Sequence, residues 1–401
     1  MLENENKIVA LKKQIQQEHA DAWIIVDYEN KNPATSYFVG KMMLTRKIFI
    51  VVPSMDKPYI VAHSIDMVFL KAKSDEFDLY QYNTWEEMLS LEKKLFSEYK
   101  TVLMDISDDG LLPKISLADY GSVDFIKKLG VEVKSSGNVL QMASASYGDK
   151  SIELQKKACE LTLQIKDEAF RKIAEDIKEE GKSNEYEIQQ FICDRFHQEG
   201  MVYDEPPIVA IGSNSNNPHY GPTKEINSDI KIGDVVLIDM WAKMDDPLAV
   251  YADITWVGYV GESVPDTIEK RFNILVNAVS AGILFLKDNL SSRNICGCEV
   301  DDVVRGVVNE SGYGKYFTHR TGHNIAVDVS PHGPGANIDN YESHDTRTLI
   351  EGTSFSIEPG IYAPDFGLRS ETNVLIENNF PVVVGGRQYK VIPIMSLIKN
   401  I

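Results

Sequence analysis

The sequence predicts a smaller α/β domain followed by a larger α+β domain, and three observations support this. With 401 residues, the chain is long enough for two or three domains. Short apolar runs alternate with helical patterns over the first 145 residues or so. Beyond Lys150, four helical periodicities lie among strands that favour antiparallel hairpins. We predict domains at 1–147 and 148–401, divided at the small, polar segment Ser144–Gly148.

The elements of both domains follow from hydrophobic periodicity and from turn residues. In the first domain we predict helices at 5–19, Glu86–Tyr99 and Ala118–Leu129, and strands at Trp23–Val26, Ile48–Val52, Tyr59–Ala62 and Val102–Ile106. In the second we predict helices at Lys150–Glu180, Asn184 to about Gly200, Asp266–Leu286 and Val300–Asn309, with strands at Ile208–Ile211, Val235–Met240, Val250–Val260, Phe355–Tyr362 and Leu368–Ile376.

Composition and charge narrow the classes of function. The chain has 41 Lys and Arg against 60 Asp and Glu, a net charge of −19, so it would repel nucleic acid and anionic membranes. No secretory signal and no run of about 18 apolar residues occur, so we expect no membrane partner. The four cysteines are too few for a disulfide scaffold. We therefore expect a cytoplasmic protein.

The residues best suited to chemistry are four carboxylates and one histidine in strand or turn contexts. No Gly-rich phosphate loop and no nucleophile-elbow serine compete with them. Asp239 closes the apolar run Val-Val-Leu-Ile, and Asp253 follows in Tyr-Ala-Asp-Ile-Thr, so a hairpin would bring the two together. His323, Glu358 and Glu371 follow in similar settings. Each has an ordinary explanation on its own, such as a solvated strand end, a core histidine or an Arg–Glu pair.

Together, the four carboxylates require compensating charge. Each pair near 4 Å would cost about 4 kcal/mol at an effective dielectric constant of 20. Six such pairs would exceed the stability of a typical domain. Two divalent cations would neutralise the cluster, and oxygen ligands with one imidazole suit manganese, with cobalt, iron or zinc as alternatives.

The order of these five residues and their flanks, YADIT, TGHNI, SIEPGIY and GLRSE, resembles the creatinase/prolidase/aminopeptidase P superfamily, the pita-bread metallopeptidases. The resemblance covers about residues 151–401, and the first 145 residues resemble the smaller domain that precedes it in these proteins. It implies an α+β pita-bread catalytic domain after a creatinase-type α/β domain. It also implies a homodimer.

The resemblance further implies a role for each matching residue. Asp239 would bind one metal, His323 and Glu358 the other, and Asp253 and Glu371 would bridge them. Glu358 would also transfer protons. The remaining implied catalytic or substrate-binding residues are His219, His319, His332 and Arg369.

Three positions depart from the family pattern. The family commonly has a histidine seven residues after the ligand histidine, where this chain has Ser330, and His332 is the nearest candidate. Trp241 stands in place of a glycine, and Trp256 in place of an arginine. None of the three is a ligand, so we expect them to affect the choice of substrate.

The implied activity is hydrolysis, by a dinuclear metal site, of the peptide bond before proline. We expect an Xaa-Pro aminopeptidase that acts on small peptides with proline at the second position. The alternatives are an Xaa-Pro dipeptidase, a non-peptide hydrolase or lyase on the same metal scaffold, and a binding module without catalysis.

Overall fold

A computed structural model describes residues 4–40, 42–327 and 330–398. The chain divides into two compact units, the first ending at Ser146 and the second beginning at Tyr147. The outer limits of the predicted domains, residues 1 and 401, lie outside the described residues. Each unit is α/β or α+β in character, as the sequence predicts.

The first unit is built on a six-stranded mixed sheet. Its strands are β1 (Ala22–Tyr28), β2 (Lys47–Pro53), β3 (Tyr59–His63), β4 (Asp78–Tyr82), β5 (Thr101–Met104) and β6 (Glu132–Ser135), in the order β4-β3-β2-β1-β5-β6. Its helices are α1 (Asn4–Gln17), α2 (Pro33–Val39), α3 (Ser64–Leu70), α4 (Trp85–Phe96), α5 (Tyr120–Lys128) and α6 (Gly137–Ala145). Strand β1 is central and covered on both faces, which explains its continuous apolar run Trp-Ile-Ile-Val.

Within the described residues, the second unit combines four α-helices with short sheets. The helices are α7 (Asp149–Glu180), α8 (Glu185–Gln198), α9 (Asp266–Asn289) and α10 (Gly297–Glu310). The strands are β7 (Ser183–Asn184), β8 (Met201–Val202), β9 (Ile208–Ile211), β10 (Asp229–Ile230), β11 (Val235–Met244), β12 (Ala252–Tyr259), β13 (Ser354–Ile357), β14 (Gly360–Tyr362), β15 (Gly367–Arg369), β16 (Thr372–Glu377), β17 (Phe380–Val383) and β18 (Ile392–Pro393).

Helix α8 begins where its sequence pattern predicts. The side chain of Asn184 accepts hydrogen bonds from the backbone N–H groups of Tyr186 and Glu187, which satisfies amides that have no partner within the helix. Helix α7 ends at Glu180 and is capped by Gly181, whose φ of 79° is easily adopted only by glycine. Local sequence therefore sets the ends of both helices.

Two strands that we predicted as continuous are interrupted. The segment Phe355–Tyr362 divides into β13 and β14, because Pro359 has no N–H to donate to a sheet. The segment Leu368–Ile376 divides into β15 and β16 at Ser370–Glu371. Both interruptions lie beside predicted site carboxylates.

Two hydrophobic cores of the second unit contain side chains of β11, β12, β13 and β16. In one, Phe170 and Ile173 of α7 join Ile238 and Ile254 of the β11–β12 hairpin. In the other, side chains of α9 and α10 pack against β13 and β16.

The four cysteines are free thiols. Within the described residues, none of the helices combines the length and apolar character that a bilayer crossing requires.

Candidate metal centre and active site

The β11–β12 hairpin brings two predicted ligands to one face of the sheet. Asp239 pairs with Thr255 across the antiparallel ladder, and Trp241 pairs with Asp253. Because side chains alternate along a strand and cross-strand partners share a face, these four side chains lie on the same side. The hairpin predicted from the sequence therefore places both aspartates together.

The strands near the C-terminal end bring the two glutamates to this face. Glu358 directly follows β13, and Glu371 lies between β15 and β16, where its N–H donates to the carbonyl of Thr255 at 3.2 Å. Asn373 binds the backbone of Asp253 on both sides, accepting from its N–H at 2.8 Å and donating to its carbonyl at 2.6 Å. These bonds join β16 to β12 next to the carboxylates.

Close backbone contact positions His323. A Cβ at Gly322 would lie 2.0 Å from the carbonyl oxygen of Ser356, so only glycine fits there. The N–H of His323 donates to the Ser356 hydroxyl at 3.0 Å. As a result, Nε2 of His323 lies 3.4 Å from Oδ2 of Asp253 and 3.6 Å from Oε1 of Glu358.

The donor set fits divalent cations. One ligand atom from each of Asp253, His323 and Glu371 lies within 4.8 Å of the others, and all three residues are buried. Oε1 of Glu371 has no hydrogen-bond partner among the described residues. Burial and neighbouring carboxylates raise the pKa values of Asp253 and Glu371 well above their ordinary range. Buried carboxylates this close together are stabilised by cations, and oxygen with one imidazole is a suitable ligand chemistry.

Arg369 organises the other end of the cluster. Its guanidinium donates to Asp239, to the hydroxyl of Thr255 at 2.9 Å and to the hydroxyl of Tyr362 at 2.9 Å. We predicted that Arg369 binds substrate; it lines the cavity, and each of its three nitrogens also donates to a protein group. These bonds additionally position Asp239, and the role of Arg369 towards substrate stays a prediction. The Arg–Glu371 pair considered from the sequence does not form; Thr255 donates to Glu371 instead, at 2.8 Å.

His319 has both ring nitrogens engaged. Nδ1 is 2.7 Å from the carbonyl oxygen of Arg320, and Nε2 is 2.8 Å from the hydroxyl of Tyr362. Burial, followed by the charge of Arg369, lowers the pKa of His319 to about 3, so the ring is neutral. A neutral ring that donates from Nδ1 accepts the Tyr362 proton at Nε2. His319 thus extends the chain of bonds from Asp239 through Arg369 and Tyr362, and its predicted catalytic role stays a prediction.

A cavity of about 380 Å³ opens onto these side chains. The predicted ligands all line it, as do His219, His319, His332 and Arg369. The ring of His332 meets that of His323 edge-on, with centroids 4.0 Å apart. His332 is held there by a bridge to Ile325, so it reaches the cavity despite its displaced sequence position.

Two of the departures from the family pattern lie in different surroundings. Trp241 lines the cavity. Trp256 packs against the core beneath α7, where the Lys166 ammonium lies 3.6 Å from its ring centroid. The expectation that Trp256 affects the substrate pocket is therefore wrong, because β12 directs it away from the face of Asp253 and Thr255.

Some of the residues in this network were not identified from the sequence. Tyr362, Asn373 and Asp204 belong to it, and Asp204 accepts a hydrogen bond from the indole of Trp241 at 2.6 Å. Tyr362 lies within the SIEPGIY segment, four residues after Glu358, which is the one local indication of its role. The partners of Asn373 and Asp204 depend on contacts between distant segments.

Comparison with known families identifies the chain. The model of metallopeptidase family M24 matches residues 153–378, more than half of the sequence. The chain belongs to this family. It is a metallopeptidase of the creatinase/prolidase/aminopeptidase P superfamily. Membership implies divalent metal ions, for which the cluster around Asp253 offers ligands.

Relatives and solved structures agree with this assignment. The chain is 28% identical to the Xaa-Pro dipeptidase of Pyrococcus horikoshii over 308 aligned residues. The alignment covers 75% of this chain and 79% of the relative. The dipeptidase PepE of Mycobacterium ulcerans has a similar fold, with a TM-score of 0.65, 21% identity and 97% of each chain covered. The X-Pro aminopeptidase of Thermotoga maritima matches with a TM-score of 0.56 and 20% identity, over 94% of this chain and 99% of that one. The pita-bread fold predicted from the sequence is confirmed.

Proposed function

We propose that the M24 protein hydrolyses the peptide bond that precedes proline, with two divalent cations held by Asp239, Asp253, His323, Glu358 and Glu371. The observation that carries this proposal is the convergence of buried carboxylates and one imidazole at a cavity of peptide-binding size. When bound, the cations would acidify a water molecule and polarise the substrate carbonyl.

The chain's own residues supply proton transfer and charge stabilisation. We assign proton transfer to Glu358, because its carboxylate lines the cavity and one oxygen is fixed by the Ser356 hydroxyl at 3.1 Å. His219 and His332 also line the cavity, and their N–H groups would stabilise negative charge on the carbonyl oxygen.

Proline as the residue after the cleaved bond is supported by the similarity to the Xaa-Pro dipeptidase of Pyrococcus horikoshii. Recognition of proline depends on shape, because its peptide nitrogen carries no hydrogen to donate. The proline ring therefore requires a cavity wall rather than a hydrogen-bond acceptor.

Cavity charge favours an aminopeptidase over a dipeptidase. A dipeptide presents its carboxylate beside the proline, and an unpaired arginine would recognise it. The arginines of the described lining are Arg320 and Arg369, and both are paired: Arg320 with Glu342 at 3.1 Å, and Arg369 with Asp239. A longer peptide does not need such a partner. The dipeptidase remains a second candidate because the Pyrococcus relative carries that name.

The assay that tests this function compares Ala-Pro-Ala, Ala-Pro and Ala-Ala-Ala with the manganese-loaded protein. Cleavage of Ala-Pro-Ala before proline supports the aminopeptidase, and cleavage of Ala-Pro alone supports the dipeptidase. Inertness towards all three would point to a non-peptide substrate. Asp253→Ala is expected to abolish both manganese binding and cleavage, and full activity in this variant would reject the site.

Manganese, a homodimer and the cytoplasm belong to the same proposal. Four carboxylates with one imidazole favour manganese over a thiolate-type zinc site. The four free thiols suit a reducing compartment. Metal analysis of the purified protein, analytical ultracentrifugation and cell fractionation test these three points separately.

A further inference from the structure

The wall of the cavity beside Asp239 is formed by a tryptophan. Trp241 lies two residues after Asp239 on the same face of β11 and directly opposite Asp253. Its indole packs on the cluster of Ile208, Ala210 and Leu237. The tryptophan therefore forms part of the cavity wall next to the candidate metal ligands.

This tryptophan holds a carboxylate at the cavity. The indole N–H of Trp241 donates to Oδ1 of Asp204 at 2.6 Å. An indole has one donor and no acceptor, so this bond fixes both the ring and the carboxylate. Among the described residues, no hydrogen bond to Oδ2 of Asp204 is present, and the residue is exposed.

No described residue forms an ion pair that compensates the charge of Asp204. In the described lining of the cavity, Arg369 is paired with Asp239 and Arg320 with Glu342. Asp204 forms no ion pair with a described residue, and Glu205 beside it lines the cavity too. An ordinary surface carboxylate would point into solvent, whereas this one is bonded to the cavity wall within the same cavity as the metal cluster.

We propose that Asp204 and Trp241 form a subsite that receives a positively charged group of the substrate. Charge-assisted hydrogen bonds to a carboxylate and contact with an indole ring are both favourable for ammonium and guanidinium groups. In a peptide, this group is either the α-ammonium or the side chain of a lysine or arginine. The inference rests on the proposed peptidase function and adds a substrate preference to it.

The test uses three peptides and three variants of the full-length, manganese-loaded protein. The peptides are Lys-Pro-Ala, Ala-Pro-Ala and N-acetyl-Ala-Pro-Ala. The variants are Asp204→Asn, Trp241→Phe and the control Asp245→Asn, which removes an exposed carboxylate outside the cavity lining. For each combination, KM and kcat are measured separately, and dissociation constants come from calorimetry of the metal-free protein.

We expect Asp204→Asn to raise KM about 10-fold for peptides whose cation it binds, with little change in kcat. Trp241→Phe retains an aromatic ring but loses the indole N–H that holds Asp204. We therefore expect it to raise KM by less than Asp204→Asn does. If the α-ammonium is bound, wild type prefers free over acetylated Ala-Pro-Ala and Asp204→Asn abolishes this preference. If the lysine side chain is bound, wild type prefers Lys-Pro-Ala over Ala-Pro-Ala and Asp204→Asn abolishes this preference.

Two results overturn the subsite while leaving the peptidase intact. One is an Asp204→Asn variant that cleaves every peptide with the KM of Asp245→Asn. The other is a wild-type protein with no preference for any cationic group. If no peptide is cleaved, the proposed function fails instead. The calorimetric constants then decide the subsite, and equal or absent binding of the three peptides contradicts it.

Discussion

The hydroxyl of Thr255 donates a hydrogen bond of 2.8 Å to Oε2 of Glu371 and accepts one of 2.9 Å from Arg369. One threonine thus connects a predicted metal ligand with the arginine that holds Asp239. Groups that orient ligands in this way commonly determine metal affinity. The relationship makes Thr255 the most informative position at which to test the centre without removing a ligand.

We expect Thr255→Val to weaken manganese binding by roughly 10- to 100-fold. Valine preserves the shape but removes the hydroxyl, so Glu371 and Arg369 both lose a partner. Titration calorimetry on metal-free protein measures the change. Thr255→Ser retains the hydroxyl and serves as the matched control. Equal affinity in the valine variant and the wild type would remove Thr255 from the centre.

The metal-free protein should become less stable as pH rises from about 4.5 to about 7. Burial raises the pKa of Glu358 from 4.5 to about 7, so the folded state keeps a proton that the unfolded chain releases in this range. Because the folded state then binds more protons, its free energy of unfolding falls with increasing pH. Thermal unfolding in the presence of a chelator measures this slope.

The Glu358→Gln variant removes the contribution of Glu358. Burial also raises the pKa of Glu92, in the first unit, to about 7 and the pKa values of Asp253 and Glu371 well above their ordinary range, so part of the slope persists in this variant. We expect Glu358→Gln to flatten the dependence relative to the wild type. Manganese should reverse its direction, because metal binding displaces protons and tightens with pH. A metal-free midpoint that rises between about pH 5 and pH 7 would contradict the assignment.

We expect His332→Ala to lower kcat by about 100-fold, because an N–H donor to the developing oxyanion is lost. Ser330→Ala should remain close to wild type. Ser330 occupies the usual sequence position, but its hydroxyl accepts the backbone N–H of His332 at 3.3 Å and supports the turn. Steady-state kinetics on Ala-Pro-Ala compares the two variants. The opposite ranking would assign the role to Ser330.

Trp256→Phe should lower the free energy of unfolding by about 1 kcal/mol, because a weaker ring faces the Lys166 ammonium. The indole N–H of Trp256 is buried without a partner among the described residues, so phenylalanine removes no hydrogen bond. Denaturant unfolding measures the loss. Substrate preference should be unchanged, and a shift in the ratio of KM values between peptides would place Trp256 in the pocket after all.

Local patterns in the sequence predicted that a hairpin brings Asp239 and Asp253 together, whereas placing His323, Glu358 and Glu371 in the same centre relied on the resemblance to the family. Asp239 and Asp253 share a face because strand alternation fixes it, and the hairpin between them is short. The same alternation places Trp256 on the face opposite Asp253, since the two positions differ by an odd number. The ligand roles themselves remain predictions until a metal is bound.

Contacts across long separations could not be predicted. Arg369 and Asp239 are 130 residues apart, and their pairing depends on how β15 packs beside β11. Periodicity describes which face a residue occupies but carries no information about which distant strand it meets. For the same reason the sequence could not decide whether Glu371 pairs with an arginine, and the bond between Trp241 and Asp204 was missed.

Thr255 and Glu371 lie 116 residues apart in the chain, yet they border the same cluster. A cation coordinated by Asp253 and Glu371 would act as a noncovalent crosslink between β12 and the segment before β16. In cells deprived of the ion, β12 and the segment before β16 would therefore separate more readily. Proteases that attack opened chains would then shorten the lifetime of the protein. Metal supply would then control the abundance of this peptidase as well as its turnover of substrate.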